Sequence, residues 1–165
     1  YGQFDDYRRR LKESNRIVYD VAEALVRVNY PFAADSESTA YSRIVYEGMI
    51  VWGIKSLIDG ADLASALGYT QEQVRWAEDN EKRVWRKMIQ DNVLYSTDPA
   101  IALRLVEPSP ATSIINPLAP GRIGRYIGYK IVENYFANNS ACSLEDLLVG
   151  EFYKSQRMLV DAKYK

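Results

Sequence analysis

Histidine is absent from the 165 residues, and Cys142 is the only cysteine. A tetrahedral His/Cys zinc site, a Ser-His-Asp triad and a Cys-His dyad therefore have nothing to be built from. A lone cysteine forbids an internal disulfide, yet leaves the redox compartment undecided, because a domain of this size folds without such staples. Long apolar runs are missing too: none approaches the ~20 residues that cross a bilayer, and no signal peptide is present. Neither sign of charge dominates. Lys+Arg 21 against Asp+Glu 22 gives a net charge of −1, so no global field draws the protein onto nucleic acid or an anionic membrane. The sequence opens at Tyr1 without a methionine, and the expectation is a chain cut from a precursor or lacking a leading segment.

What is present reads as one globular domain spanning residues 1–165. The length fits a single core, and 47% hydrophobic with 26% charged residues is average for a folded protein. From Phe4 to Tyr30, Val18, Val21, Leu25 and Val28 recur at steps of three and four, the pattern of a long amphipathic helix stopped by Pro31. A second helix is expected from Ala40 to Ile58, with Ile44, Val45, Met49, Trp52 and Leu57 inward and Asp59-Gly60 closing it. Thr70 and Gln73 form a capping box ahead of a third, whose stripe is Val74, Ala77, Val84 and Met88. Five of the six prolines fall between Tyr95 and Pro120, which predicts a short helix over Asp98–Val106 and then a long irregular connection. Ile123, Ile127, Ile131 and Tyr135 mark a helix over Arg122–Ala137, and Ser143 with Asp146 caps a short helix or helix pair reaching Leu159. The class is mainly α, five or six helices with little or no β; a strand or two fits only near Asn92–Tyr95 or in the proline-rich loop.

Three groups of residues have the chemistry of a site. Tyr19 and Glu23 lie one turn apart with Asp20 between them, the spacing by which a His-Glu-x-x-His helix offers two metal ligands and a base. The plainer account is a solvated face with one buried tyrosine. Glu47 precedes Gly48 on a helix face close to the core, and a buried carboxylate needs a positive partner, hydrogen bonds or a raised pKa. Pro120-Gly121-Arg122-Ile123-Gly124-Arg125-Tyr126-Ile127-Gly128-Tyr129 opens a helix whose Gly124 and Gly128 make a smooth face for close packing, with Arg122 and Arg125 able to meet an anion at its start. No phosphate-loop or dinucleotide pattern is present. Tyrosine is abundant, 13 residues, and supplies rigid area with a polar end.

Three blocks carry a family resemblance in the right order: Leu67-Gly-Tyr-Thr-Gln-Glu-Gln-Val-Arg-Trp-Ala-Glu-Asp-Asn-Glu81 through Val84-Trp85, then Leu94-Tyr-Ser-Thr-Asp98, then Pro120-Gly-Arg-Ile-Gly-Arg-Tyr-Ile-Gly-Tyr-Lys-Ile-Val-Glu-Asn-Tyr-Phe-Ala-Asn-Asn139. From about Ile17 to Lys165 the chain resembles the family of the gliding-motility lipoprotein GldB of Bacteroidota, which is related to zincin-like metalloproteases. The resemblance implies a zincin-like helical scaffold in which a His-Glu-x-x-His helix and a later Glu-Gly helix would supply the zinc ligands. Projected onto this chain, the first slots hold Tyr19, Asp20 and Glu23, and the second motif falls on Glu47-Gly48. Only Glu47 keeps the expected chemistry: Tyr19 is a poor zinc ligand, Glu23 a hard oxygen donor, and Asp20 one methylene shorter than the usual base.

The resulting expectation is a non-catalytic cell-envelope lipoprotein domain, associated with gliding or secretion, that has lost its metal and uses the remaining cleft to bind an envelope protein. No cofactor and no metal are expected, nor any nucleic-acid partner, and the only membrane attachment expected is an N-terminal lipid anchor absent from this sequence. Arg122 or Arg125 is expected to neutralise the carboxylates, with Tyr126 and Tyr129 as further cleft candidates. The alternatives are a metal-dependent peptidase that uses the carboxylates as ligands, which can attract calcium or magnesium, and a peptide- or glycan-binding domain.

Overall fold

The computed structural model describes Arg9 and residues 13–164. Among these, eight α-helices follow one another: α1 (Ile17–Asn29), α2 (Ala40–Leu57), α3 (Leu63–Leu67), α4 (Gln71–Gln90), α5 (Pro99–Val106), α6 (Ile123–Asn138), α7 (Leu144–Val149) and α8 (Arg157–Ala162). Short 3-10 turns at Ser14–Arg16 and Phe152–Lys154 complete the set. The protein is mainly helical. The described residues contain no strand, only an isolated antiparallel bridge between Ala111 and Pro120 in the proline-rich loop.

Local chemistry sets the helix starts. Thr39, Thr70 and Ser143 each close a capping box at the heads of α2, α4 and α7, and Asp98 caps α5 ahead of its Pro99. The first helix departs from the periodic reading: Arg9 is helical, but Glu13 is extended and breaks the run, so that α1 begins at Ile17, while residues 4–8 and 10–12 of the expected helix lie outside the described residues. The unanticipated α3 follows the α2 terminator, with Asp62 as its cap and Gly68 in a left-handed conformation at its end.

Two helices form the centre. Ile44, Val45, Met49, Ile50, Val51 and Ile54 of α2 are fully enclosed, as are Ile123, Tyr126, Ile127, Ile131 and Val132 of α6. Helices apolar on every side belong inside. They cross with backbones touching: a Cβ on Gly48 would stand 2.1 Å from the Gly128 carbonyl carbon, and one on Gly128 only 1.9 Å from the Ile44 carbonyl oxygen. Only glycine permits that approach. Around this pair, α1 and α5 pack on α2, and α4, α5 and α8 on α6. The proline-rich loop is pinned to the start of α6, where the buried Thr112 hydroxyl donates to Pro120 O (2.7 Å) and accepts from Ile123 N (3.2 Å).

One face turns the other way from the periodic reading. Val18, Val21, Leu25 and Val28 of α1 point outward at 52, 52, 54 and 81% exposure, and Leu57 of α2 is also exposed. The inward face of α1 carries Ala22 and Val26, with Glu23 and Arg27 beside them.

Candidate functional site

The crossing of α2 and α6 brings Glu47, next to Gly48, close to Arg125, which sits one residue after Gly124. Helix α1 lies across them and adds Glu23 and Arg27, one turn apart. Arg27 reaches both carboxylates: its Nε and Nη2 donate to Glu23 Oε1 at 2.9 and 2.7 Å, and its Nη1 and Nη2 to Glu47 Oε1 and Oε2 at 3.0 and 2.6 Å. Arg125 donates through Nη1 and Nη2 to Glu23 Oε1 and Oε2 at 3.3 and 3.1 Å, and its Nε lies 3.6 Å from Glu47 Oε2. Arg43, one turn before Glu47, adds a contact of 3.3 Å to Glu47 Oε1. Glu47 and Arg125 are buried, and Glu23 and Arg27 half-buried.

The charges of this cluster determine its chemistry. Burial alone raises the Glu23 carboxyl, but the charges of Arg125 and Arg27 and their hydrogen bonds overrule it and hold the group at about 2. Burial likewise works against the Arg27 guanidinium, while hydrogen bonds and charge from Glu47 and then Glu23 raise it. A carboxylate this acidic is a poor proton acceptor at neutral pH.

The remaining candidates separate. Asp20 is exposed and stands 3.7 Å from Arg16, away from the cluster. Tyr19 is half-buried beneath the Arg16 guanidinium. Arg125, and not Arg122, meets the carboxylates; Arg122 turns its Nε to Val106 O at 3.2 Å. Tyr126 and Tyr129 are core residues whose hydroxyls donate to Glu81 at 3.0 Å and Glu133 at 2.8 Å, so they do not line a cleft with Arg122. Sequence reading overlooked Arg27, Arg43 and Arg16, although each stands four residues from a carboxylate it contacts, the ordinary signature of a helical ion pair.

The residues do not fit a zinc centre or a hard-cation centre. Among the described residues no group of three or more His, Cys, Asp or Glu side chains is placed to hold a metal. Glu23 and Glu47 do meet, but the guanidiniums of Arg27 and Arg125 take the acceptor positions a cation would need.

Comparison with protein-family models matches residues 1–165, the whole chain, to the family described as gliding motility protein GldB. The chain belongs to this family. No curated protein and no solved structure matches it. In this GldB-family chain, the Pro120–Asn139 block contains both the glycine that touches α2 and the arginine that neutralises the cluster. No helix among the described residues is long and apolar enough to cross a membrane.

Proposed function

We propose that this GldB-family chain is a non-enzymatic, lipid-anchored domain of a gliding-associated assembly at the cell envelope, and that it binds an amphipathic helix of an envelope protein along the outer face of α1. The observation that carries the reading is the exposed stripe Ile17, Val18, Val21, Leu25 and Val28. Residues 18, 21, 25 and 28 have the alternating three-four spacing of a coiled-coil seam, which is complementary to another helix rather than to a flat or charged surface. Beside it, Leu25, Gly53, Leu57, Leu144 and Leu148 line a groove of about 490 Å³ that extends the apolar area toward α7.

The charge cluster supports the non-enzymatic half of the proposal. At the positions corresponding to two zincin-like ligand slots, 23 and 47, this chain has carboxylates that meet around arginine, an arrangement expected of a peptidase-derived scaffold whose metal has been replaced by a guanidinium. The family is named as one of lipoproteins, which supports a lipid-anchored location.

The test places a photo-crosslinking residue at Val28 in the full-length protein in its native envelope, with Val21→Asp and Leu25→Asp as partner-blocking variants. Expected is one crosslinked protein, attached through a segment with heptad-spaced apolar residues, lost in both variants while their melting temperatures stay at the parent value. A crosslink only to a second copy, no crosslink, or peptide hydrolysis abolished by Glu47→Gln overturns the proposal.

A further inference from the structure

A cleft of about 330 Å³ opens on the solvent side of the buried cluster, lined by Arg16, Asp20, Glu23, Ala24, Arg27 and Arg122. Its two walls have guanidiniums positioned by backbone carbonyls. Arg16 donates through Nη1 to Ser65 O at 2.8 Å, and Arg122 through Nε to Val106 O at 3.2 Å. A carbonyl orients a guanidinium without cancelling its charge. Arg16 is only 11% exposed; among the described residues its one carboxylate neighbour, Asp20, stands 3.7 Å away and its buried Nε has no hydrogen-bond partner. Behind the cleft, Arg27, Arg43 and Arg125 already satisfy Glu23 and Glu47. Among the described residues of the cleft and cluster, five guanidiniums thus face three carboxylates, a surplus of two positive charges in a chain whose net charge is −1. Partly buried positive charge without a counter-charge is costly, and planar guanidiniums suit forked oxygen acceptors.

We infer that this cleft binds a phosphate oxyanion, held between Arg16 and Arg122 with Arg27 at its floor. The start of α6 is a weaker candidate for the same anion, because its first N–H is taken by the Thr112 hydroxyl and Arg125 is turned into the cluster. The inference is independent of the helix-binding face, which lies on a separate, apolar side of α1.

Free phosphate and a phospholipid headgroup share this chemistry, and two arms separate them. In the first, inorganic phosphate is titrated at fixed ionic strength while amide chemical shifts and melting temperature are followed. In the second, the protein is sedimented with vesicles containing phosphatidylglycerol or phosphatidylcholine alone. Saturable shifts centred on Arg16, Ala24 and Arg122, weakened at least tenfold by Arg122→Gln and partly restored in Arg122→Lys, are expected and assign free phosphate. Sedimentation that requires phosphatidylglycerol and is lost in Arg122→Gln assigns the headgroup. The phosphate-free melting temperature of each variant controls for folding. No saturable response in either arm, or responses equal in parent and Arg122→Gln, overturns the inference.

Discussion

Arg125→Met keeps most of the side-chain volume and removes the charge. Arg125 is 1% exposed, donates two N–H groups to Glu23 and lies 3.6 Å from Glu47. Breaking a buried ion pair by deleting one partner costs about 3–5 kcal/mol, because the charge left behind remains out of water. Arg27 and Arg43 still serve the carboxylates, which places the expected loss near the lower end, about 3 kcal/mol, out of a total that for a typical domain is ~5–15 kcal/mol. The loss is also pH-dependent. Glu23 is held at about 2 against an ordinary 4.5, so its ionised form stabilises the fold above pH 4.5, and that contribution disappears as pH falls from 4.5 toward 2. At ~1.4 kcal/mol per pH unit the contribution is worth about 3 kcal/mol, much of it from Arg125. Urea unfolding of parent and variant should therefore differ by about 3 kcal/mol at pH 7, and the curves should converge as the pH approaches 2. The double variant Glu23→Gln/Arg125→Met should lose less than the sum of the two single changes. A gap below ~1 kcal/mol at neutral pH, or one that stays constant down to pH 2, refutes the reasoning.

Gly48→Ala forces a methyl group to within 2.1 Å of the Gly128 backbone, so the central helices must separate; a loss above ~3 kcal/mol or failure to fold is expected by thermal melting. Gly60→Ala, in open space at φ +69°, should cost only about 1 kcal/mol. Asp20→Asn should leave urea stability within ~0.5 kcal/mol, because the side chain is exposed and loosely paired, whereas Glu47→Gln in the buried cluster should lose about 3 kcal/mol. Tyr126→Phe removes one of two hydroxyls on Glu81 and should cost about 1–2 kcal/mol in the same assay, with Tyr164 still donating at 2.9 Å.

Helix positions were legible where local chemistry alone decides them. The capping residues Thr70 and Ser143, the Pro99 start and the isoleucine stripe of α6 act through nearest neighbours or through a face buried without ambiguity. Glycines at 124 and 128 signalled close packing because a missing side chain has few other uses inside a helix, although that Gly128 would meet the backbone at Gly48 depends on tertiary geometry. The outward turn of α1 was not legible. Periodicity identifies an apolar face, and the usual inference that this face is the core fails when the opposite face carries a better-satisfied ionic network. Leu57 misleads for a related reason: it ends α2 where the helix leaves the core. Within the site, Glu23, Glu47 and Arg125 could be picked out singly, but their convergence depends on the Gly48–Gly128 crossing and on the placement of α1.

Helix α1 is thus amphipathic with its sides exchanged, and this ties the proposed binding to the fold. Ala22, Val26 and the half-buried Tyr19 give its inner face only a small apolar area, too little to set its rotation. Its attachment comes instead from Glu23 and Arg27, which bridge to Glu47 on α2 and Arg125 on α6. Ion pairs depend on direction where apolar burial does not, so the network fixes the rotation of α1 about its own axis and keeps Val18, Val21, Leu25 and Val28 outward. Rolling the helix to bury the valines would break the Arg27–Glu47 and Arg125–Glu23 bridges to α2 and α6, a penalty of several kcal/mol that opposes the gain from covering the four aliphatic side chains. Glu23 and Glu47 thereby set the orientation of the helix proposed to bind a partner, and neutralising them should weaken partner capture even in variants that remain folded.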